Sequence, residues 1–153
     1  MIPIPQNDTA RINALNAYDV LDTPKEMSFD ALTRLAARIF GVPIALVSLV
    51  DEDRQWFKST HGLDAEQTPR DQAFCTYAIM DHEPLIVLDA TLDDRFRENP
   101  LVTGDPGIRF YAGAPLVTPD AYRIGTFCVI DTNPRDSFHG FERNHLDDFA
   151  ATT

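Results

Sequence analysis

Cysteine is scarce in this sequence. Cys75 and Cys128 are the only two, too few for a disulfide framework or a four-cysteine zinc site. Both lie in apolar segments, where a free thiol behaves as a small hydrophobe, and such usage fits a reducing compartment. Positive charge is also short: 13 Lys and Arg stand against 24 Asp and Glu, a formal charge of −11. A field of that sign repels phosphate backbones and anionic lipid, which argues against nucleic acid or a membrane surface as a direct partner. No apolar run approaches the ~18 residues of a membrane span. The first residues, Met1-Ile2-Pro3-Ile4-Pro5-Gln6-Asn7, have neither a basic n-region nor an apolar h-region. Repeats and low-complexity tracts are missing too, and no linker divides the chain. These absences point to one soluble cytoplasmic domain.

The 153 residues carry 44% apolar side chains, enough for one hydrophobic core. Asn7 can cap a first helix carrying Ala10, Ile12 and Leu15 and ending near Tyr18. Thr23-Pro24-Lys25-Glu26 combines Thr at N-cap, Pro at N1 and Glu at N3, which predicts the start of a second helix. Its apolar stripe is Phe29, Leu32, Leu35, Ala36 and Ile39, and Gly41 ends it near Phe40.

After Gly41 the period changes. Residues Pro43 to Val50 are apolar on both faces, as in a central strand. Asp51-Glu52-Asp53 turns the chain into a second strand, Arg54 to Thr60, with Trp56 and Phe57 on opposite faces. Asp64 to Asp71 is polar, Gln72 to Met80 reads as a short helix, and Pro84 to Leu88 is a third strand. Asp89 to Pro106 is a long irregular connection of the kind that forms lids and binding loops. Arg109 to Val117 and Arg123 to Ile130 are two further strands, and Phe141, His145, Leu146 and Phe149 mark a C-terminal helix. The pattern predicts an α+β domain with a central, mostly antiparallel sheet of five or six strands flanked by terminal helices.

Several blocks then carry a resemblance. They include Tyr18-Asp19-Val20-Leu21-Asp22-Thr23, Pro43 through Asp51, Arg54-Gln55-Trp56-Phe57-Lys58, Thr68-Pro69-Arg70-Asp71 and Ala73-Phe74-Cys75. Phe29-Asp30 with Leu32-Thr33, Asn99-Pro100-Leu101-Val102, Ile108 through Leu116 and Gly125 through Asp131 complete them. In this order and spacing, from about Leu15 to about Phe149, the sequence resembles GAF domains, in particular those at the N-terminus of bacterial sensor histidine kinases and diguanylate cyclases. The resemblance implies a GAF/PAS-like fold with strand order about 2-1-5-4-3, a domain over 1–153 and a core of about 15–150. It also implies a small-molecule cavity between one sheet face and the segment joining strands three and four. A homodimer formed through the terminal helices is implied as well, with the effector domain, a kinase or cyclase, outside this chain. The last helix has no clear stop after Phe149, which favours an excised or truncated domain.

The candidate ligand-binding residues are Asp71, Phe74, Cys75, Tyr77, Phe96, Arg109, Phe110, Tyr111 and Phe127. Arg109 and Tyr111 are two apart on one strand, so they share a face, and Asp71 could pair with the guanidinium. The aromatics would form the apolar wall usual for small-molecule sites, although aromatics at strand spacing more often build core. Cys75, at a helix start near Arg70, is the most reactive candidate. A buried structural thiol is nevertheless favoured, because a nucleophile needs a base and a resolving partner. Free methionine sulfoxide reductases of the family use cysteines on loops near the pocket, whereas Cys128 lies mid-strand. Bilin attachment is disfavoured because Thr76 and Tyr77, not His, follow Cys75. The Asn-Lys-Phe-Asp-Glu motif of cyclic-nucleotide-binding members does not occur. Asp51, Glu52 and Asp53 point in different directions, and His61, His82, His139 and His145 lack ligand spacing. The leading expectation is a non-enzymatic sensory domain for an unnamed small molecule, without catalytic residues or a metal and with no cofactor specified. A domain that only dimerises or docks partners is the first alternative, and a thiol-dependent sulfoxide reductase the second.

Overall fold

The alternation along Ile44–Val50 decides the architecture, because it sends successive side chains into two separate cores. Ala45, Val47 and Leu49 enter one core with Trp56, Phe127 and Val129; Ile44, Leu46 and Val50 enter the other with Phe57, Cys128 and Ile130. A computed structural model describes residues 2–138 and 140–153. It contains six strands: β1 (Ile44–Val50), β2 (Arg54–His61), β3 (Gln67–Pro69), β4 (Leu85–Val87), β5 (Phe110–Val117) and β6 (Arg123–Asp131). They form one antiparallel sheet of order β3-β2-β1-β6-β5-β4. Without β3, this is the expected 2-1-5-4-3 order.

Five α-helices cover the sheet: α1 (Asp8–Ala17), α2 (Met27–Phe40), α3 (Cys75–Ala78), α4 (Pro100–Thr103) and α5 (Phe141–Thr152). Helices α2 and α5 lie on one face, where Phe40 packs on Phe138 and Phe149, and the Phe127 ring stacks on Phe149 at 5.2 Å. The opposite face carries α3 and the connection from β4 to β5.

Three local expectations are corrected. Helix α2 starts at Met27 rather than after Thr23, because Glu26 is extended and residues 23, 24 and 26 are tied to β2. The Thr23 hydroxyl donates to the Val20 carbonyl, and the buried Lys58 ammonium donates to Thr23 Oγ1 and the Pro24 carbonyl while pairing with Glu26. The buried stripe of α2 is Thr33, Ala36, Ala37 and Phe40. Leu35 and Ile39, expected in that stripe, are half exposed. Finally, the polar stretch after Asp64 contains β3, a three-residue edge strand on β2, too short and too exposed to show an alternation. Asn7 does stand at the start of α1, but its side chain makes no capping bond.

Helix α1 is anchored by charge. Asp8 accepts from Arg11 Nε at 3.0 Å and from both terminal nitrogens of Arg70 at 2.8 and 3.0 Å. Both arginines are buried; Arg11 Nη1 also donates to the Val50 carbonyl, and Arg70 Nη1 to the Asp51 and Glu52 carbonyls, at the β1–β2 turn. Burial opposes ionisation of Asp8, yet the bonds from Arg70 and Arg11 hold its carboxyl below the usual range.

Candidate ligand cavity

Residues two apart on neighbouring strands share a face, and on the α3 side of the sheet this parity leaves a cavity of about 250 Å³. Leu46 of β1, Phe57 of β2, Tyr111 of β5 and Cys128 of β6 contribute to its floor. Phe74 and Cys75, at the start of α3, close one side. Leu101, Asp105, Pro106 and Ile108, from the β4–β5 connection, form the lid. The loop before β3 adds Leu63 and Ala65. No lysine or arginine lines the cavity.

Gln55 enters the wall from β2, two residues before Phe57 and therefore on the same face. It is 5% exposed. Its Nε2 donates to Thr68 Oγ1 at 3.0 Å, whereas its Oε1 has no partner. A buried amide oxygen without a donor costs about 1–3 kcal/mol, so the cavity holds one unmet hydrogen-bonding demand.

The second polar feature is a knot of hydroxyls around a thiol. Ser48 Oγ donates to Cys75 Sγ at 3.0 Å, Thr126 Oγ1 lies 2.8 Å from the same sulfur, and Tyr111 OH lies 3.1 Å away. Burial pushes the Cys75 thiol up, but hydrogen bonds from Cys128, Ser48, Thr126 and Tyr111 bring it down to about 7. The thiol of Cys128 and the phenol of Tyr111 move the other way, through burial and the neighbouring Cys75 charge. The donors that converge on Cys75 thus favour its thiolate over ionisation of Cys128 or Tyr111.

The nine sequence candidates separate by position. Phe74, Cys75 and Tyr111 line the cavity. Tyr77 and Phe96 stand behind it: Phe96 stacks on Phe74 at 4.1 Å and meets the edge of Tyr77 at 4.8 Å. Phe110 and Phe127 point to the opposite core, as their parity relative to Tyr111 and Cys128 requires. Asp71 is exposed, and its anticipated pairing with Arg109 is not made. Instead, the Arg109 guanidinium donates to the carbonyls of Val102 and Ile108 at 2.9 and 3.1 Å, which ties the lid to the start of β5. Sequence reasoning missed Gln55 and Cys128, although strand parity relative to Phe57 and Tyr111 carried the signal. Among the described residues, no three His, Cys, Asp or Glu side chains are grouped to hold a metal ion. His139 lies outside the described residues. Likewise, no helix among them is long and apolar enough to cross a membrane.

Gly113 gives the Tyr111 side chain its place. A Cβ there would lie 2.2 Å from Tyr111 OH, so the ring occupies the space above the glycine. Gly113→Ala is expected to cost about 1–3 kcal/mol, the usual penalty for overpacking, and to pull the phenol off Cys75. Urea denaturation measures the first effect and a crystal structure of the variant the second; an unmoved Tyr111 would refute this reading.

A six-stranded antiparallel sheet with terminal helices on one face and a lidded, largely apolar cavity on the other defines a domain of α+β class. The chain belongs to the GAF domain family, whose model matches residues 25–153. Domains of this fold occur in signalling proteins, a putative two-component sensor histidine kinase among them. It is 45% identical over 133 residues to the cyclic di-GMP phosphodiesterase PA2567 of Pseudomonas aeruginosa, covering 87% of this chain. The chain spans only 23% of that relative's length. The GAF domain of an Acinetobacter phosphoenolpyruvate-protein phosphotransferase superposes with a TM-score of 0.65 at 17% identity, over 94% of this chain and 89% of that one. A type II free methionine-R-sulfoxide reductase from Thermoplasma acidophilum also gives 0.65, at 10% identity over 80% and 84%. At such identities the structural likenesses establish the fold.

Proposed function

We propose that this domain is a regulatory, non-enzymatic sensor that binds a compact, uncharged and mainly apolar molecule in the cavity. The observation that carries this reading is Gln55, a buried amide with an unpartnered atom, among the residues that line a largely apolar cavity. Volume supports a small ligand: about 250 Å³ lies under the ~300–1,000 Å³ of sites for drug-sized molecules. Chemistry argues against an anionic nucleotide, since a phosphate would be buried without a cation. The similarity to a cyclic di-GMP phosphodiesterase fits a role in controlling cyclic di-GMP turnover through an output domain, rather than binding of the dinucleotide in this cavity. The half-exposed Leu35 and Ile39 on α2 suit a homodimer that passes the signal on through its helices.

Native mass spectrometry of the purified protein, before and after mild denaturation, tests the proposal. The expected result is a dimer that releases a small neutral molecule, with Gln55→Met retaining less of it. A bare protein that takes up no member of a neutral fragment library, with Gln55→Met indistinguishable from it, would leave a module that only dimerises.

A further inference from the structure

Cys75 and Cys128 lie 53 positions apart in the chain and on different elements, yet they meet. Thr126, whose hydroxyl lies 2.8 Å from the Cys75 sulfur, stands two residues before Cys128 on the same face of β6, and both cysteines line the cavity wall. Neither is in a disulfide. Two adjacent thiols, one centred among three hydroxyl groups, are more than packing requires, because apolar side chains of similar size would fill the same space without the polar cluster. Their exposure is to the cavity rather than to bulk solvent, so a reagent must be small enough to enter the lidded space.

We infer that Cys75 and Cys128 form a peroxide-responsive dithiol in the cavity wall, with Cys75 the attacking and Cys128 the resolving thiol. The Cys75 thiolate attacks one oxygen of hydrogen peroxide, the O–O bond breaks, and the departing hydroxide takes up a proton and leaves as water. Cys75 is thereby oxidised to its sulfenic acid. The Cys128 thiol then attacks the Cys75 sulfur, an S–S bond forms, the S–O bond breaks, and the hydroxide leaves as a second water with the Cys128 proton. In sum, two thiols and one peroxide give one disulfide and two waters, and an external dithiol reverses the change.

The roles follow from the surroundings. Ser48, Thr126 and Tyr111 stabilise negative charge at Cys75, whereas the neighbouring Cys75 charge and burial hold Cys128 protonated. Closure of the disulfide would withdraw the Cys75 sulfur from its hydroxyl partners and draw α3 towards β6. This inference requires only that peroxide enters the cavity, and it stands whether or not the sensor reading holds.

The folded protein is treated with hydrogen peroxide at pH 7, alkylated, denatured and mapped by peptide mass spectrometry. The expected product is a linked pair of peptides carrying Cys75 and Cys128, two hydrogens lighter than the reduced pair and restored by dithiothreitol. Cys128→Ser should stop at a sulfenic acid on Cys75 that dimedone traps. Cys75→Ser should slow oxidation of Cys128 at least about tenfold, because burial keeps the Cys128 thiol above its ordinary pKa of about 8.5. Wild-type protein that keeps both thiols alkylatable after peroxide, or forms only intermolecular disulfides, would overturn the assignment. So would equal oxidation rates of Cys128 with and without Cys75. Should a variant fail to fold, the wild-type mapping decides alone.

Discussion

Asp8→Ala is expected to lower the unfolding free energy by about 3–5 kcal/mol, the loss typical when one partner of a buried ion pair is removed. Two buried guanidiniums, Arg11 and Arg70, share this single carboxylate. Without it they would hold like charges together under α1, where Arg11 Nη2 and Arg70 Nε already have no partner. Urea denaturation at pH 7 measures the loss, and a value under about 1 kcal/mol, typical of exposed pairs, would refute the account. The triple change Asp8→Leu, Arg11→Met, Arg70→Met should recover much of it, since apolar replacements remove the charges along with the pairing. Acidity provides a second test. The folded-state pKa of Asp8 is depressed, so its stabilisation is complete well above its ordinary value of about 3.9 and is lost as pH falls through the folded value. The stability gap between wild type and Asp8→Asn should therefore be constant well above about pH 4 and close as pH falls from there through the folded value.

Gln55→Met should change stability and binding in opposite directions. Methionine fills a similar volume and leaves no unpaired polar atom. Removing the orphan oxygen relieves about 1–3 kcal/mol, and losing the Thr68 bond takes back about 1. Thr68 is only partly buried, so water can replace its partner. A net gain of about 1 kcal/mol is expected. Ligand retention should fall at least about tenfold, the worth of one buried hydrogen bond of about 1.4 kcal/mol. Thermal unfolding of ligand-free protein and retention in native mass spectrometry give the two readings. Loss of both stability and binding would mean that Gln55 serves only to hold β3 on β2.

Much of the fold was legible because the strands obey a period of two. The run from Ile44 to Val50 could only be a central strand, and the hairpin with Trp56 and Phe57 on opposite faces followed from the same rule. What escaped was decided by groups distant in sequence. The Thr-Pro-Lys-Glu signal before α2 is sound locally, but Lys58 reaches Thr23 and Pro24 from β2 and ties them outside the helix. Two of the six proposed aromatics, Phe110 and Phe127, fell on the wrong side because each is adjacent to a strand residue that faces the cavity, Tyr111 or Cys128, and adjacent strand residues cannot both face it. Gln55 looked like an ordinary polar residue in a hairpin, since only the fold shows that its neighbours leave its oxygen bare. The meeting of Cys75 with Cys128 was invisible for the same reason.

Cys128 and Phe127 are joined by one peptide bond and belong to different worlds: the sulfur faces the cavity, while the ring stacks on Phe149 of α5. The sheet is thus a partition one residue thick. Whatever displaces β6 from the cavity side tips the ring on which the terminal helix rests. By reciprocity, a helix drawn away from Phe127 slackens the cavity floor. The wall of the cavity is therefore also the surface on which α5 rests, so in the proposed sensor a message would cross here without a path of relays.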